Sequence, residues 1–297
     1  MRYGFAKAYA KLNLTLDVLG RREDGYHDLE MVMQSISLCD SVSVRIGCGG
    51  GISTISNVRH IPNDERNIAY KAANAFLDAT GIDPCGVHIA MEKRIPSSAG
   101  MAGGSADGAA VLRLLSHLTG ANLTERELCE IGVMVGADVP FCLTGGTALA
   151  CSKGEDLKKL TPISDCFFVI GKPRKGMSTK AVFEKIDSES ILRRPDTADM
   201  LSAIENSSLS GIAATVYNVF EPPVSSEIPE ISDIKEKLLK NGALTAAMTG
   251  SGSAVFGIFD NLSGAEKARV ILSRSYIDVF LATPVSSEDV RKVIICG

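Results

Sequence analysis

Residues 96–105 constrain this chain more than any other segment. They read Pro96-Ser97-Ser98-Ala99-Gly100-Met101-Ala102-Gly103-Gly104-Ser105 and run directly into Ala109, Ala110, Leu112, Leu115 and Leu118, a helical pattern that Gly120 stops. A short strand at 87–91 precedes them. In a strand, small-residue loop and helix, the backbone can approach an anion closely. Several N–H groups and the positive end of the helix then converge on it. Phosphate is the natural guest, and the bland alternative is a turn that only packs tightly. The loop is neither a Walker A sequence (GxxxxGKS/T) nor a GxGxxG dinucleotide fingerprint. A positive φ at Ala102 would strain it.

Around this loop the pattern mixes strands and helices. Residues 10–18 alternate, with Leu12, Leu14, Leu16 and Val18 on one face and Lys11, Asn13, Thr15 and Asp17 on the other, which predicts a half-buried strand. Strand-like runs fill 30–46, with Val32, Gln34, Ile36 and Leu38 on one face, and Gly49-Gly50-Gly51 marks a loop. Ile68, Ala72, Ala75 and Phe76 recur at helical spacing before Gly81. Thr124-Glu125-Arg126-Glu127 is a capping box that opens a helix ending at Gly136. Later come a helix with Ile234, Leu238 and Leu239 on one face, strands at 244–248 and 255–259, and a helix from about Gly264. Without strict alternation, α+β is favoured over a doubly wound sheet. The length of 297 residues suggests two domains. The polar stretch 152–165 is the expected boundary, dividing 1–155 from 156–297.

Composition narrows the function. With 31 Lys+Arg against 35 Asp+Glu the net charge is -4, and no basic block occurs. Nucleic acid and polybasic membrane-surface binding are therefore not expected. No apolar run approaches the roughly 18 residues of a membrane span. The N-terminus has no signal-peptide core, and the eight scattered cysteines show neither CxxC nor zinc spacing. Reduced thiols in a cytoplasmic enzyme with a small-molecule partner are the expectation; the oligomeric state is open.

Four further groups could carry chemistry. Lys11 and Asn13, two apart on a strand, share a face. They are either solvated or a lysine beside a reacting oxygen with an amide orienting it. Asp138 lies in Gly136-Ala137-Asp138-Val139-Pro140-Phe141. It is either a turn aspartate or a carboxylate whose proton affinity is balanced between burial and a nearby lysine, as suits a general base. Tyr26-His27 could stack on a base and bond its edge, or simply turn the chain. Thr249-Gly250-Ser251-Gly252 could close on a phosphate or turn a hairpin.

The order of these elements is more specific than any one of them. Lys-x-Asn near the N-terminus, Pro-x-x-x-Gly-x-x-Gly-Gly-Ser before a helix, and a late Thr-Gly-Ser-Gly-Ser loop resemble the GHMP kinases, which include galactokinase, homoserine kinase and mevalonate kinase. Ala10-Lys11-Leu12-Asn13-Leu14, Gly20-Arg21-Arg22-Glu23-Asp24-Gly25-Tyr26-His27 and 136–141 are similar to the branch acting on a cytidyl-linked substrate. The resemblance implies a two-domain α+β fold, ribosomal-protein-S5-like then ferredoxin-like. It implies an ATP- and Mg²⁺-dependent kinase phosphorylating the 2-hydroxyl of 4-diphosphocytidyl-2-C-methyl-D-erythritol, on the non-mevalonate route to isoprenoid precursors.

It also implies roles. Asp138 is the base and Lys11 its partner, with Asn13 orienting one of them. Residues 96–106, from Pro96 through Ser97, Ser98, Ala99, Gly100, Met101, Ala102, Gly103, Gly104 and Ser105 to Ala106, cradle the ATP phosphates, with Ser105 near Mg²⁺. Lys93 and Asn67 serve the adenosine end. Tyr26 and His27 hold the cytosine, Phe183 covers its other face, and Thr179 lies beside it. Thr249, Gly250, Ser251 and Gly252 close near the substrate phosphates. The run from Ala102 to Ala106 departs from the fuller Gly-Gly-Gly-Ser-Ser pattern and lacks a second hydroxyl. Two alternatives share the loop. A diphosphomevalonate decarboxylase has no base for Tyr26-His27 to hold, and a non-catalytic binding protein has no need of both Lys11 and Asp138.

Overall fold

Two long strands form the spine of the structure, a computed structural model that describes residues 2–47 and 49–296. They are β1 (Arg2–Arg21) and β2 (His27–Ile46), paired antiparallel with register shifts at Tyr9/Lys11, Asn13/Thr15 and Val18/Gly20. Each irregularity bends the strand and re-aims neighbouring side chains, and two of them flank Lys11 and Asn13. β3 (Ile52–Ser56), α1 (Ile68–Thr80), β4 (Val87–Glu92), α2 (Gly103–Thr119), α3 (Glu125–Val135), α4 (Val139–Thr144), β5 (Thr147–Ser152) and β6 (Asp156–Lys159) follow. The end of β2 pairs with β4, its beginning pairs with β5, and β3 lies parallel to β4.

The second half of the chain begins with β7 (Phe167–Lys172), α5 (Thr179–Ser188), α6 (Thr197–Glu205), α7 (Leu209–Thr215), β8 (Tyr217–Asn218) and α8 (Glu221–Ser225). It continues through α9 (Glu230–Lys240), β9 (Thr245–Met248), β10 (Val255–Phe259), α10 (Leu262–Leu272), β11 (Asp278–Ala282), α11 (Ser287–Arg291) and β12 (Val293–Cys296). A second, antiparallel sheet runs in the order β11-β7-β10-β9. The polar stretch 152–165 contains β6, which pairs with β5 in the first sheet, and β12 returns from the chain's end to pair with β1.

The middle of β1 is buried on both faces, where the alternation predicts one solvated face. Lys11, Asn13, Thr15 and Asp17 are as inaccessible as their apolar neighbours. Ala10, Leu12 and Leu14 pack into a core with Phe168, Ile170, Phe256 and Ile258 of the second sheet. The opposite face meets the glycine loops: the Lys11 N–H donates to the Met101 carbonyl and the Asn13 N–H to Thr249 Oγ1.

Helix ends follow local chemistry. Gly81 and Gly120 close α1 and α2 at φ 66 and 78, and the capping box at Thr124 and Glu127 forms in both directions. Asn261 caps α10, whose first residue is Leu262, two before the expected Gly264. In α9, Ile231, Ile234 and Leu238 are buried while Leu239 is 47% exposed. One residue past Leu238 is about 100° further round the helix, off the buried stripe. Between α1 and α2, a methyl on Gly108 would sit 3.0 Å from Ile68 Cγ2, so glycine sets how closely the helices pack. Phe76, fully buried there, contributes about 1.5–3 kcal/mol by leaving water. The seven described cysteines are all free thiols; Cys48 lies outside the described residues.

Candidate active site

A cleft of about 950 Å³ opens at the start of α2. Every residue from 96 to 105 lines it. Ala102 is the N-cap of α2 at φ 57, ψ 30 and gives no side-chain hydrogen bond to the first turn. Ser98 is also left-handed, at φ 51. Such a conformation costs a non-glycine residue about 1–2 kcal/mol, so the strain foreseen for a positive φ at Ala102 is present. In return, the first turn at Gly103, Gly104 and Ser105 carries no side-chain cap. Its N–H groups and the positive helix end are left to an anion. Ala106 is turned into the core, and its N–H closes the first helical bond to the Ala102 carbonyl.

The loop is stitched in place from two sides. The Lys11 N–H reaches the Met101 carbonyl at 3.2 Å, and the Ala254 N–H reaches the Ala99 carbonyl at 3.3 Å. Gly100 and Gly250 pack backbone to backbone, so Gly250, Ser251 and Gly252 share the cleft with the phosphate loop. Thr249 itself is buried beneath them.

Lys11 and Asp138 both line the cleft. Lys11 Nζ donates to Asn13 Oδ1 at 2.5 Å, so the amide holds the ammonium as the i, i+2 spacing anticipated. Asn13 stands behind Lys11, with its own N–H on Thr249 Oγ1 at 2.9 Å. Asp138 is the N-cap of α4, with no side-chain cap bond and no ion pair among the described residues. Burial pushes the Cys142 thiol well above its ordinary range; the Asp138 charge adds to that and Lys11 opposes it, so both groups act on this one sulfur. Arg113, wholly inside, donates to the Cys142 carbonyl at 2.9 Å and ties α2 to α4. Burial lowers its guanidinium to about 10.

Lys93 and Asn67 line the cleft, but their polar ends are already engaged. Lys93 Nζ lies between the carboxylates of Asp40 and Asp107 and also donates to the Gly103 carbonyl at 3.3 Å. Asp40 Oδ1 accepts from the Ile95 N–H at 2.8 Å, which anchors the entrance to the loop. Burial pushes the Asp107 carboxyl up to about 7, against the pull of Lys93 and with Asp40 adding to the rise. Asn67 Oδ1 caps α1 through the Ala69 N–H at 2.8 Å, while its Nδ2 donates to the Pro62 carbonyl at 2.7 Å. Asp40 and Asp107 carry no motif that sequence reasoning could have used.

At the other end of the cleft, Tyr26 is 61% exposed while His27 is buried. The His27 ring lies flat on Phe183, centroids 4.5 Å apart at 18°, and Phe183 meets Phe220 edge-on. Phe183 thus turns one ring face to His27. His27 Nε2 bonds Asp187 Oδ1 at 2.7 Å, and Arg21 stands 3.7 Å from the other oxygen. The ammonium of Lys153 sits 4.3 Å over the Tyr26 ring and pairs with Asp24. Thr179, at the start of α5, contacts Ser251 through their hydroxyls at 3.0 Å. The sequence pattern gives no site role to Asp187 or Lys153, and it includes Arg21 only as part of the motif that ends at Tyr26-His27. Asp187 was within reach of the pattern, since Thr179, Phe183 and Asp187 are spaced four apart on one helix face.

Comparison with known proteins bears on this arrangement. Residues 67–146 match the GHMP kinases N terminal domain, and residues 192–278 match the GHMP kinases C terminal domain. A 4-diphosphocytidyl-2-C-methyl-D-erythritol kinase of Clostridium botulinum (strain Eklund 17B / Type B) is 43% identical over 94% of this chain and 99% of its own. The kinase of the same name from Clostridium tetani (strain Massachusetts / E88) is 44% identical over 94% and 99%. The chain belongs to the 4-diphosphocytidyl-2-C-methyl-D-erythritol kinase family of GHMP kinases.

Family membership makes it a small-molecule kinase of two-domain α+β fold, with ATP as phosphate donor. A crystal structure of 4-(cytidine 5'-diphospho)-2C-methyl-D-erythritol kinase superposes with a TM-score of 0.78 at 32% identity, covering 94% of this chain and 98% of that one. Homoserine kinase from Cytophaga hutchinsonii ATCC 33406 matches at a TM-score of 0.73 and 19% identity, covering 100% and 94%, and shares the fold. No helix among the described residues is long and apolar enough to cross a membrane.

Proposed function

We infer that this protein transfers the γ-phosphoryl group of ATP to the 2-hydroxyl of 4-diphosphocytidyl-2-C-methyl-D-erythritol, as a cytoplasmic step on the non-mevalonate route to isoprenoid precursors. One observation carries the reading. A single cleft holds the phosphate loop, the unpaired carboxylate of Asp138 with buried Lys11, and the aromatic group of Tyr26, His27 and Phe183. A phosphoryl donor, an alcohol and a nucleobase each find a matching chemistry there.

In this reading the N–H groups of the loop and of the first turn of α2 bind the donor's phosphates. Phosphoryl transfer needs positioning and charge neutralisation more than covalent chemistry. Asp138 takes the proton from the attacking hydroxyl, and Lys11, oriented by Asn13, stabilises the charge developing on that oxygen. Asp187 holds His27 in place through Nε2, leaving Nδ1 for the edge of the base. The base stacks on the face of Tyr26 that Lys153 does not cover. Thr249 and Gly250 brace the loop from below.

Mg²⁺ fits the donors that the cleft supplies, which are hard oxygens: the Ser105 hydroxyl on the first turn of α2 and the Asp138 carboxylate. Ser105 would help hold the ion together with phosphate oxygens and water. When bound, Mg²⁺ neutralises charge on the phosphates.

The test is ADP release from ATP and Mg²⁺ with the cytidyl substrate, mevalonate diphosphate, mevalonate and homoserine offered in parallel. Release with the cytidyl compound alone is expected. Release only with another acceptor would remove the cytosine site from the reading.

A further inference from the structure

A second recess, of about 580 Å³, adjoins the cleft across a shared wall of Lys93, Ile95, Pro96–Ser98, Met177 and Ser178, and its far side is built from residues the cleft lacks, among them His60, Arg94, Lys172, Arg174 and Asp278. Its buried charge is Lys172, at the end of β7 and only 8% exposed. Lys172 Nζ donates to the Pro173 carbonyl at 2.9 Å and has no carboxylate in ion-pair range among the described residues. A buried ammonium without a counter-ion is costly, and an anion in the recess would offset that cost. Arg174, exposed on the same wall, also has no ion pair among the described residues. Two further cations stand at the wall, Lys93, held by Asp40 and Asp107, and Arg94, shared with Glu92 at 3.2 Å, and His60 bonds Ser97 Oγ at 2.9 Å. The wall has one carboxylate among the described residues. It is Asp278, which stands opposite Lys172 in the strand register without pairing with it.

The recess also touches working parts. A methyl on Gly176 would lie 3.0 Å from the Ser98 carbonyl oxygen, so the segment after Arg174 rests on the strained turn of the phosphate loop. Ser253 Oγ donates to the Lys175 carbonyl at 2.7 Å, and Ser178, also on the wall, caps α5, the helix that carries Phe183.

We propose that this recess is a second anion site, adjoining the nucleotide cleft and set apart from it by its far wall, which takes a small phosphate-bearing molecule between Lys172 and Arg174. Its occupant meets Ser97 and Ser98 from outside the cleft, so binding there alters the phosphate loop. The site does not depend on which alcohol the enzyme phosphorylates.

Labelled inorganic pyrophosphate is the probe, with Mg²⁺ in excess. Equilibrium dialysis is run on the whole chain pre-saturated with a non-hydrolysable ATP analogue and the cytidyl substrate. One pyrophosphate per chain is expected under that saturation. Arg174→Glu, an exposed change that leaves the fold alone, is expected to weaken it at least tenfold with the KM for ATP unchanged. Lys172→Met is expected to weaken it likewise. Absence of binding while the analogue is bound, or equal binding by wild type and Arg174→Glu, overturns the proposal. A rise in the KM for ATP that parallels the lost pyrophosphate binding assigns these cations to the nucleotide site and overturns it as well.

Discussion

Gly100 and Gly250 interlock, so neither tolerates a side chain. A methyl on Gly100 would fall 2.1 Å from the Thr249 carbonyl oxygen, and one on Gly250 would fall 2.5 Å from the Gly100 carbonyl oxygen. Both also sit at positive φ, 72 and 55. The phosphate loop is therefore shaped by a contact with a segment some 150 residues further along the chain. Gly100→Ala should cost about 2 kcal/mol or more, through the left-handed backbone and the forced shift of Thr249. Denaturant unfolding with ATP titration checks this; a variant of native stability and native ATP affinity would show that the two loops are not coupled.

Asp138 is well suited to a clean substitution, because its side chain makes no cap bond or ion pair that Asn would disturb. Asp138→Asn should lower kcat by roughly 10²–10⁴-fold, the usual worth of a general base. ATP affinity should stay close to wild type. Single-turnover kinetics beside nucleotide binding separates the two, and near-normal turnover would take Asp138 out of the proton transfer.

What the sequence made legible was local. The strand, loop and helix around 96–105, the capping box at Thr124 and the glycine stops at Gly81 and Gly120 each depend on residues close in the chain, and each is where the pattern placed it. The alternation in β1 predicts a half-buried strand, yet the face bearing Lys11 and Asn13 is buried too, because its cover comes from Met101 and Thr249, distant in sequence. The same holds for Lys93. Its pairing with Asp40 and Asp107 joins three elements, and no spacing rule connects them. Local periodicity reports which residues share a face; it does not report what tertiary packing lays against that face.

Asp187 supports the cytosine end through His27. The Nε2···Oδ1 contact of 2.7 Å fixes which ring nitrogen carries the proton. Asp187→Asn keeps the shape but loses the charge. The KM for the cytidyl substrate should rise about tenfold, the scale of one charge-assisted hydrogen bond, with the KM for ATP and kcat little changed. Steady-state kinetics with each substrate varied in turn reads the split; a loss confined to ATP would place Asp187 elsewhere in the mechanism.

Chelation tests the metal. The cleft offers Ser105 and Asp138 as oxygen donors rather than a closed carboxylate cage, so Mg²⁺ should dissociate readily with its nucleotide. Excess chelator should abolish turnover, and added Mg²⁺ should restore it, with the circular dichroism spectrum unchanged throughout. Full turnover in chelator would exclude the ion from the reaction.

The Asp40, Lys93 and Asp107 cluster beneath the phosphate loop gives the stability a pH signature of definite sign. Asp107 stands at about 7 in the folded chain against an ordinary 3.8, chiefly because it is buried. Between those values the folded state holds a proton that the unfolded state has released. The contribution of Asp107 is therefore full below about pH 4 and is lost as the pH rises toward 7. Asp107→Asn removes that titration while keeping a polar side chain near Lys93. Subtracting the variant's unfolding free energy from that of the wild type should give a difference that declines from about pH 4.5 and levels off above about pH 7. A difference that is flat, or that grows with pH, would mean Asp107 is ionised throughout, held by Lys93 against the cost of burial.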